Sequence, residues 1–420
     1  MFKRKLSSVV GLGLVGLMAF STQVYAACTT SDAIYCLDVE SGGHSGTASA
    51  NTAQDLIDLL DTSGLSGIVP TYTDLSAATV GINFNSLPIN VSFIAGHETL
   101  FFSIPELNVN ESFTGASRNA SADLLETYLK DNGIIAQIMN YQAKTSPNSP
   151  ITGQTGLIPT AISSDFNQSF TDTATNIAGS ATTSTSAAAQ SGGVPNLIGI
   201  AAQYFDMTSN GQHSKVITLP LSYTIRNDID PRRQLLISIP LSQSDVNGAK
   251  AYTVGAGLAY RFPVNDNWTL TPSVKYSMVG SVDLATVAAL NTVSLTSTYI
   301  FNLDNYDVAI GNMVTYNKTA KFSAGDYSFD PGIKNTAMRN GVMLSQPVKI
   351  KGKKMSLEYS LIDTRYISGD KPFSKDSQEL GLTIGTNKNA YSADSFLRGG
   401  VSYVNAKGSH GFTVNVGYWF

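Results

Sequence analysis

Charge is what this sequence has least of: 14% of its 420 residues are Asp, Glu, Lys or Arg, where ordinary soluble domains carry roughly a quarter. The 27 basic and 31 acidic residues give 27 − 31 = −4, which excludes a basic nucleic-acid surface. Four histidines and two cysteines offer no zinc-like spacing. Beyond Phe20 no apolar run approaches the ~20 residues of a spanning helix, so a membrane role would fall to strands. Tyr (19) and Phe (18) are abundant beside two Trp, and such residues favour half-buried strand positions.

The N-terminus carries an export signal. Lys3, Arg4 and Lys5 precede an apolar run from Val9 to Phe20 and a Val24-Tyr25-Ala26 cleavage pattern, which reads as a signal peptide over residues 1–26. A retained anchor would need a longer apolar core, and a lipidated Cys28 would ordinarily follow Leu at the place of Tyr25. Cleavage after Ala26 leaves an acidic chain with 24 − 31 = −7. In an oxidising compartment Cys28 and Cys36 are expected to form a disulfide. Metal binding and two unpaired thiols are the alternatives; no second Cys pair supports a metal, and His44 follows a Gly-Gly turn.

From residue 196 onward the pattern has a period of two. In Lys250–Phe262, Tyr252, Val254, Ala256, Leu258, Tyr260 and Phe262 share one face, while Thr253, Gly255, Gly257, Ala259 and Arg261 share the other. The next segment repeats it, with Trp268, Leu270, Val274, Tyr276 and Met278 against Thr269, Thr271, Ser273, Lys275 and Ser277. Twelve such segments are expected, centred near residues 202, 220, 237, 256, 273, 296, 311, 345, 360, 382, 400 and 415. Apolar side chains on one continuous face and small or polar ones on the other suit lipid outside and water inside. A soluble β-sandwich also alternates, but its outward face would be polar.

The final segment sets Phe412, Val414, Val416, Tyr418 and Phe420 in alternation up to the terminus. In these residues the chain resembles the bacterial outer-membrane β-barrel family, whose last strand ends in an aromatic residue read by the barrel-insertion machinery. The resemblance covers residues 196–420 and implies a mainly β fold, a 12-stranded antiparallel transmembrane barrel. It also implies outer-membrane localisation, with lipid, lipopolysaccharide, periplasmic chaperones and the insertion machinery as partners. Family topology makes Asn227–Arg233, Pro263–Asn267, Asn302–Asn305, Lys351–Lys353 and Asn387–Ala393 periplasmic turns. Ser281–Ala289, Lys318–Ala337, Gly369–Ser377 and Lys407–Ser409 become external connections. Strand parity places Arg226, Arg261, Lys275, Glu358, Glu379 and Arg398 in the lumen, where they would tune anion passage, pair with a helix in the pore, or fill the barrel as mutual ion pairs.

Residues 27–160 read as a smaller α+β domain. Helices are expected over Thr52–Asp61, with Leu56, Ile57, Leu59 and Leu60 grouped, and over Ala122–Asp131, where Asp123 and Glu126 suggest a capping box and Asn132-Gly133 a stop. Strands are expected near Thr79–Phe84, Ile89–Ala95 and Thr99–Ile104. Between this domain and the barrel, residues 161–195 are rich in Thr, Ser, Ala, Asn and Gly. They read as a flexible linker or as a thin segment inside the pore, where small side chains matter because a helix is ~10–12 Å wide. Twelve strands after such a segment and an N-terminal domain resemble the translocator unit of autotransporters, although no β-helical passenger is present. Two functions are favoured: translocation or display of the N-terminal domain, and an outer-membrane channel with a periplasmic accessory domain. An adhesin or barrel hydrolase is weaker. His213 and His410 are the histidines of the barrel half, both in expected external connections, Asp206 or Asp245 could approach His213, and His44 and His97 lie outside that half. No catalytic residue, metal or cofactor is expected.

Overall fold

The computed structural model describes residues 33–131, 133–175, 196–324, 327–386 and 396–420. Residues 1–32, with the expected signal segment and Cys28, residues 176–195 and the expected Asn387–Ala393 connection lie outside the described residues, and Cys36 is buried in the first strand.

The N-terminal domain is a sheet with helices. A hairpin of β1 (Tyr35–Ser41) and β2 (His44–Ala50) turns at Gly42 and Gly43, both at positive φ (60° and 77°), which a tight hairpin requires and glycine adopts without strain. Next come α1 (Ala53–Leu60) and α2 (Thr62–Ile68). Thr52 caps α1 by accepting from the Asp55 amide at 3.1 Å, as its place before the apolar run suggests. Strands β3 (Ala78–Phe84), β4 (Leu87–Phe93), β5 (Leu100–Ile104) and β6 (Val109–Phe113) complete an antiparallel sheet in the order β2-β1-β3-β4-β5-β6. Helices α3 (Arg118–Asp131) and α4 (Ile134–Thr145) follow. α3 starts a turn before the expected Ala122, because Ser117, not Asp123, supplies the capping oxygen, to the Ala120 amide at 3.1 Å.

A third helical stretch leads to the barrel: α5 (Leu157–Phe166), a π turn (Asn167–Thr171) and α6 (Asp172–Ala174). Strands β7 (Leu197–Ser209), β8 (Gln212–Arg226), β9 (Gln234–Val246), β10 (Ala249–Pro263), β11 (Trp268–Ser281), β12 (Thr286–Asn302) and β13 (Asp307–Ala320) come next. A small hairpin, β14 (Phe322–Ala324) and β15 (Tyr327–Phe329), decorates the longest connection. The wall resumes with β16 (Lys334–Ile350), β17 (Lys353–Gly369), β18 (Asp376–Thr386), β19 (Phe396–Ala406) and β20 (Ser409–Trp419). These twelve wall strands form one closed antiparallel barrel, each beside its neighbour in sequence, with β20 returning to β7. The fold is therefore mainly β, a transmembrane barrel with a smaller α+β domain.

The faces separate as the alternation requires. Tyr252, Val254, Leu258, Tyr260 and Phe262 point outward, while Ala259 and Arg261 are buried within. In a lipid setting this leaves no backbone edge unpaired and puts charges on the inner face. The closing strand presents Phe412, Val414, Val416, Tyr418 and Phe420 outward. Beyond β20, Phe420 and Ile198 exchange backbone hydrogen bonds at 3.0 and 2.8 Å, so the last residue extends the seam. Deleting Phe420 should lower the fraction of compact, heat-modifiable barrel on gels of unboiled membranes; an unchanged fraction would remove the terminal residue from the closure argument.

Candidate functional site

The lumen is built around the α5 stretch. Ile158, Ile162, Phe166 and Phe170 recur every four residues and are buried, forming one apolar stripe along the helix. The rings of Phe166 and Phe170, 4.9 Å apart, press on the wall where Gly311 of β13 pairs with Gly341 of β16. A Cβ at Gly311 would come 2.3 Å from Phe170 Cδ2, and one at Gly341 2.9 Å from Phe166 Cζ. The paired glycines are the seat of the two rings, and the Arg339 guanidinium covers Phe166 from 5.4 Å.

Charge fixes the same helix at two further points. Lys275 Nζ on β11 lies 2.5 Å from Asp165 Oδ1, both side chains almost wholly buried, and donates to Ser164 Oγ at 3.0 Å. The Ser273 and Ser294 hydroxyls lie 3.4 and 3.5 Å from the other oxygen of Asp165. Further along, Arg261 Nη2 on β10 donates to the Gln168 carbonyl at 2.6 Å and lies 3.8 Å from Asp172. Gln168 sits in the π turn, where departure from the regular helical ladder turns a carbonyl toward a side-chain donor. Across the lumen the charges pair within the wall: Arg339 with Glu379 at 2.8 Å, and Arg398 with Glu358. A cavity of about 290 Å³ runs between the helix and that wall, lined by Ser163, Asn167, Asp172, Glu379, Arg398 and Thr413 among others.

Arg261, Lys275, Glu358 and Arg398 are thus buried inside the barrel, and Glu379 faces the cavity. Arg226 is half-buried at the end of β8, with its amide donating to Asn196 Oδ1. Arg339 joins the set unforeseen, although its alternation with Ala337, Gly341 and Met343 carried the signal. The structure does not bring His213 to a carboxylate. Its Nδ1 lies 3.4 Å from Thr208, Asp206 accepts from Tyr204, and Asp245 accepts from the Gly248 amide. His44 Nδ1 faces the Gly42 carbonyl, and among the described residues no three His, Cys, Asp or Glu converge on a metal-sized site.

The N-terminal domain closes the barrel at the end opposite the strand termini. Its core runs unbroken into the mouth, where Val246, Ala249, Ala251, Val279, Leu284, Ala288 and Leu290 join the same buried cluster. Polar contacts ring this apolar socket. The Ala53 amide and the Tyr35 hydroxyl donate to the Asp283 carbonyl at 2.8 and 3.2 Å. Asn140 donates to the Pro331 carbonyl at 2.6 Å, Gln212 to the Ala33 carbonyl at 2.7 Å, and Lys144 lies 3.0 Å from Asp370.

No protein-family model matches the chain, and no curated protein matches it in sequence. Among solved structures it is similar to the β domain of a Bordetella autotransporter, BrkA (15% identity, TM-score 0.41), covering 54% of this chain and 98% of that one. The translocator domain of the autotransporter NalP from Neisseria meningitidis (14%, TM-score 0.41) covers 63% and 97%. An outer-membrane channel from Pseudomonas putida (12%, TM-score 0.38) covers 54% and 96%. These are likenesses of barrel fold between a channel and two translocators, and they do not choose between those roles.

Two outcomes follow from the anchors. Asp165→Asn leaves Lys275 buried without a counter-charge, a loss of about 3–5 kcal/mol. The temperature at which the compact band converts should fall, and replacing both residues by Leu should recover most of it. At the mouth, partial burial works against the Asp370 charge, but the Lys334 amide and the Lys144 ammonium outweigh it and hold the carboxyl below its usual value. The clasp therefore contributes fully above the ordinary Asp pKa of ~3.9 and is lost as pH falls through the depressed one. Protease clipping of the N-terminal domain should accelerate in that acid range, and Asp370→Asn should clip at one rate throughout.

Proposed function

We propose that the protein is an outer-membrane barrel that carries its own N-terminal domain across the membrane and holds it, docked, at the cell surface. The observation that carries this reading is the path of the chain. The described helix leaves the docked domain, runs down the lumen, and ends at Thr175, twenty-one residues before Asn196 at the terminal end of the barrel. In the proposed orientation that terminal end, with the short turns Val264–Asn267 and Leu303–Tyr306, faces the periplasm. The docked domain and the longest connection face outward, in keeping with the usual asymmetry of such barrels.

Residues 1–26 act in this reading as a cleaved signal, Cys28 and Cys36 join in the oxidising periplasm, and periplasmic chaperones hand the chain to the barrel-insertion machinery. A second reading is favoured by one observation, the cavity beside the helix, which suits a narrow channel for small solutes. An epitope in the exposed Gly42–Gly43 turn separates the roles. Display predicts antibody labelling of intact cells. Labelling only after the outer membrane is opened would place the domain in the periplasm and sink the reading.

A further inference from the structure

The hairpin joining β16 to β17 overshoots β13. β13 makes its last pair at Asp307 with Ser345, and β18 its last described pair at Thr386 with Met355. β16 and β17 nevertheless stay paired out to Ile350 and Lys353. Five residues, 346–350, thus project roughly 16 Å past the β13 edge at ~3.3 Å per residue. The tip, Lys351 and Gly352, has both φ values positive (47° and 78°), which makes a tight two-residue turn.

Four of the six residues from Lys349 to Lys354 are lysine, and all four are exposed. None forms an ion pair among the described residues. At another turn of the same rim, between β8 and β9, Arg232 is by contrast neutralised by Asp230 and Asp266. Strand parity turns two of the lysines toward the pore. Ser345 on β16 and Ser356 and Glu358 on β17 are buried in the lumen, so Lys349 and Lys354 continue that face. The register sets these two directly opposite each other. Like charges in that position destabilise a hairpin, and among the described residues no carboxylate pairs with them.

The charge of the chain is divided to match. Residues 27–160 hold 3 basic and 13 acidic residues, 3 − 13 = −10, whereas residues 196–420 hold 21 and 16, 21 − 16 = +5. We infer that this hairpin captures the chain's own acidic N-terminal segment at the periplasmic mouth and feeds it toward the lumen before the segment folds at the surface. The inference rests on the display reading and names its periplasmic contact. Tethering through residues 161–195 keeps the segment at high local concentration. Opposite charge speeds its encounter with the pore within a screening length of ~8 Å. After passage the lysines are left without the segment's carboxylates, as they are among the described residues of the folded protein.

The test is a pulse-chase in cells, following surface exposure of an epitope at Gly42–Gly43 in the full chain. Changing Lys349, Lys351, Lys353 and Lys354 together to Gln should leave the heat-modifiable barrel fraction unchanged and slow surface appearance roughly three- to tenfold. Added salt in the medium should slow the unaltered chain toward the same rate. In a second background, with Asp55 and Asp58 changed to Asn, Glu106 to Gln and Asp123 to Asn, the lysine substitutions should have a much smaller effect, since the pair of charges is coupled. Unchanged rates in the first background overturn the inference. So does equal slowing in both backgrounds, which would assign the lysines to anionic phospholipid headgroups instead. An unaltered chain whose epitope never reaches the surface overturns the display reading along with it.

Discussion

Closure of the backbone ladder between β20 and β7 is the constraint on which the rest depends. A strand in lipid has no water to satisfy its amides and carbonyls, so the sheet must end where it began. Closure creates an inside, and charges in the middle of the wall are driven into it. A twelve-strand lumen then has to be filled by charges pairing with each other, by water, or by a segment of chain. Here paired charges and a segment of chain share the space with a cavity. Wall pairs hold one side, a helix bearing Asp165 and Asp172 neutralises Lys275 and Arg261 on the other, and a cavity separates them.

The helix and the mouth use different physics. Inside, a helix with ordinary side chains is wide for the space available, and the wall yields at one point, the Gly311–Gly341 pair, where two phenylalanine rings replace absent Cβ atoms. At the mouth the inner wall turns apolar, with Val246, Val279, Leu284 and Leu290 continuous with the core of the docked domain. A water-filled vestibule would be costly there, since uncovered apolar surface loses about 25 cal/mol per Å² relative to burial. The docked domain is thus part of the barrel's own core.

Much of this was legible in the residues. The period-two pattern located all twelve wall strands, because each side chain sees either lipid or lumen and nothing between. Parity identified Arg261, Lys275, Glu358 and Arg398 as inward for the same reason. The N-terminal domain was harder: α4 and the β1–β2 hairpin escaped notice, since a small mixed domain buries short runs without a single period. The start of α3 was misplaced because Ser117, one turn upstream of Asp123, makes the cap. Arg339 lies six residues before the expected strand centre at 345, on a strand that starts at Lys334, and the Gly311–Gly341 seat depends on which strands pair, which alternation does not carry.

The two ion pairs along the helix have a mechanical consequence. Asp165 and Asp172 are seven residues apart, about 10 Å along a helix, and they are tied to adjacent strands, β11 and β10. A force pulling the docked domain away from the membrane would load both ties along the pore axis at once, and would reach the wall as shear across hydrogen-bonded strands. Shear must stretch many ladder bonds together, whereas peeling breaks them one by one. The helix therefore works as a tensile stay, and the barrel resists detachment of its domain in its strongest direction.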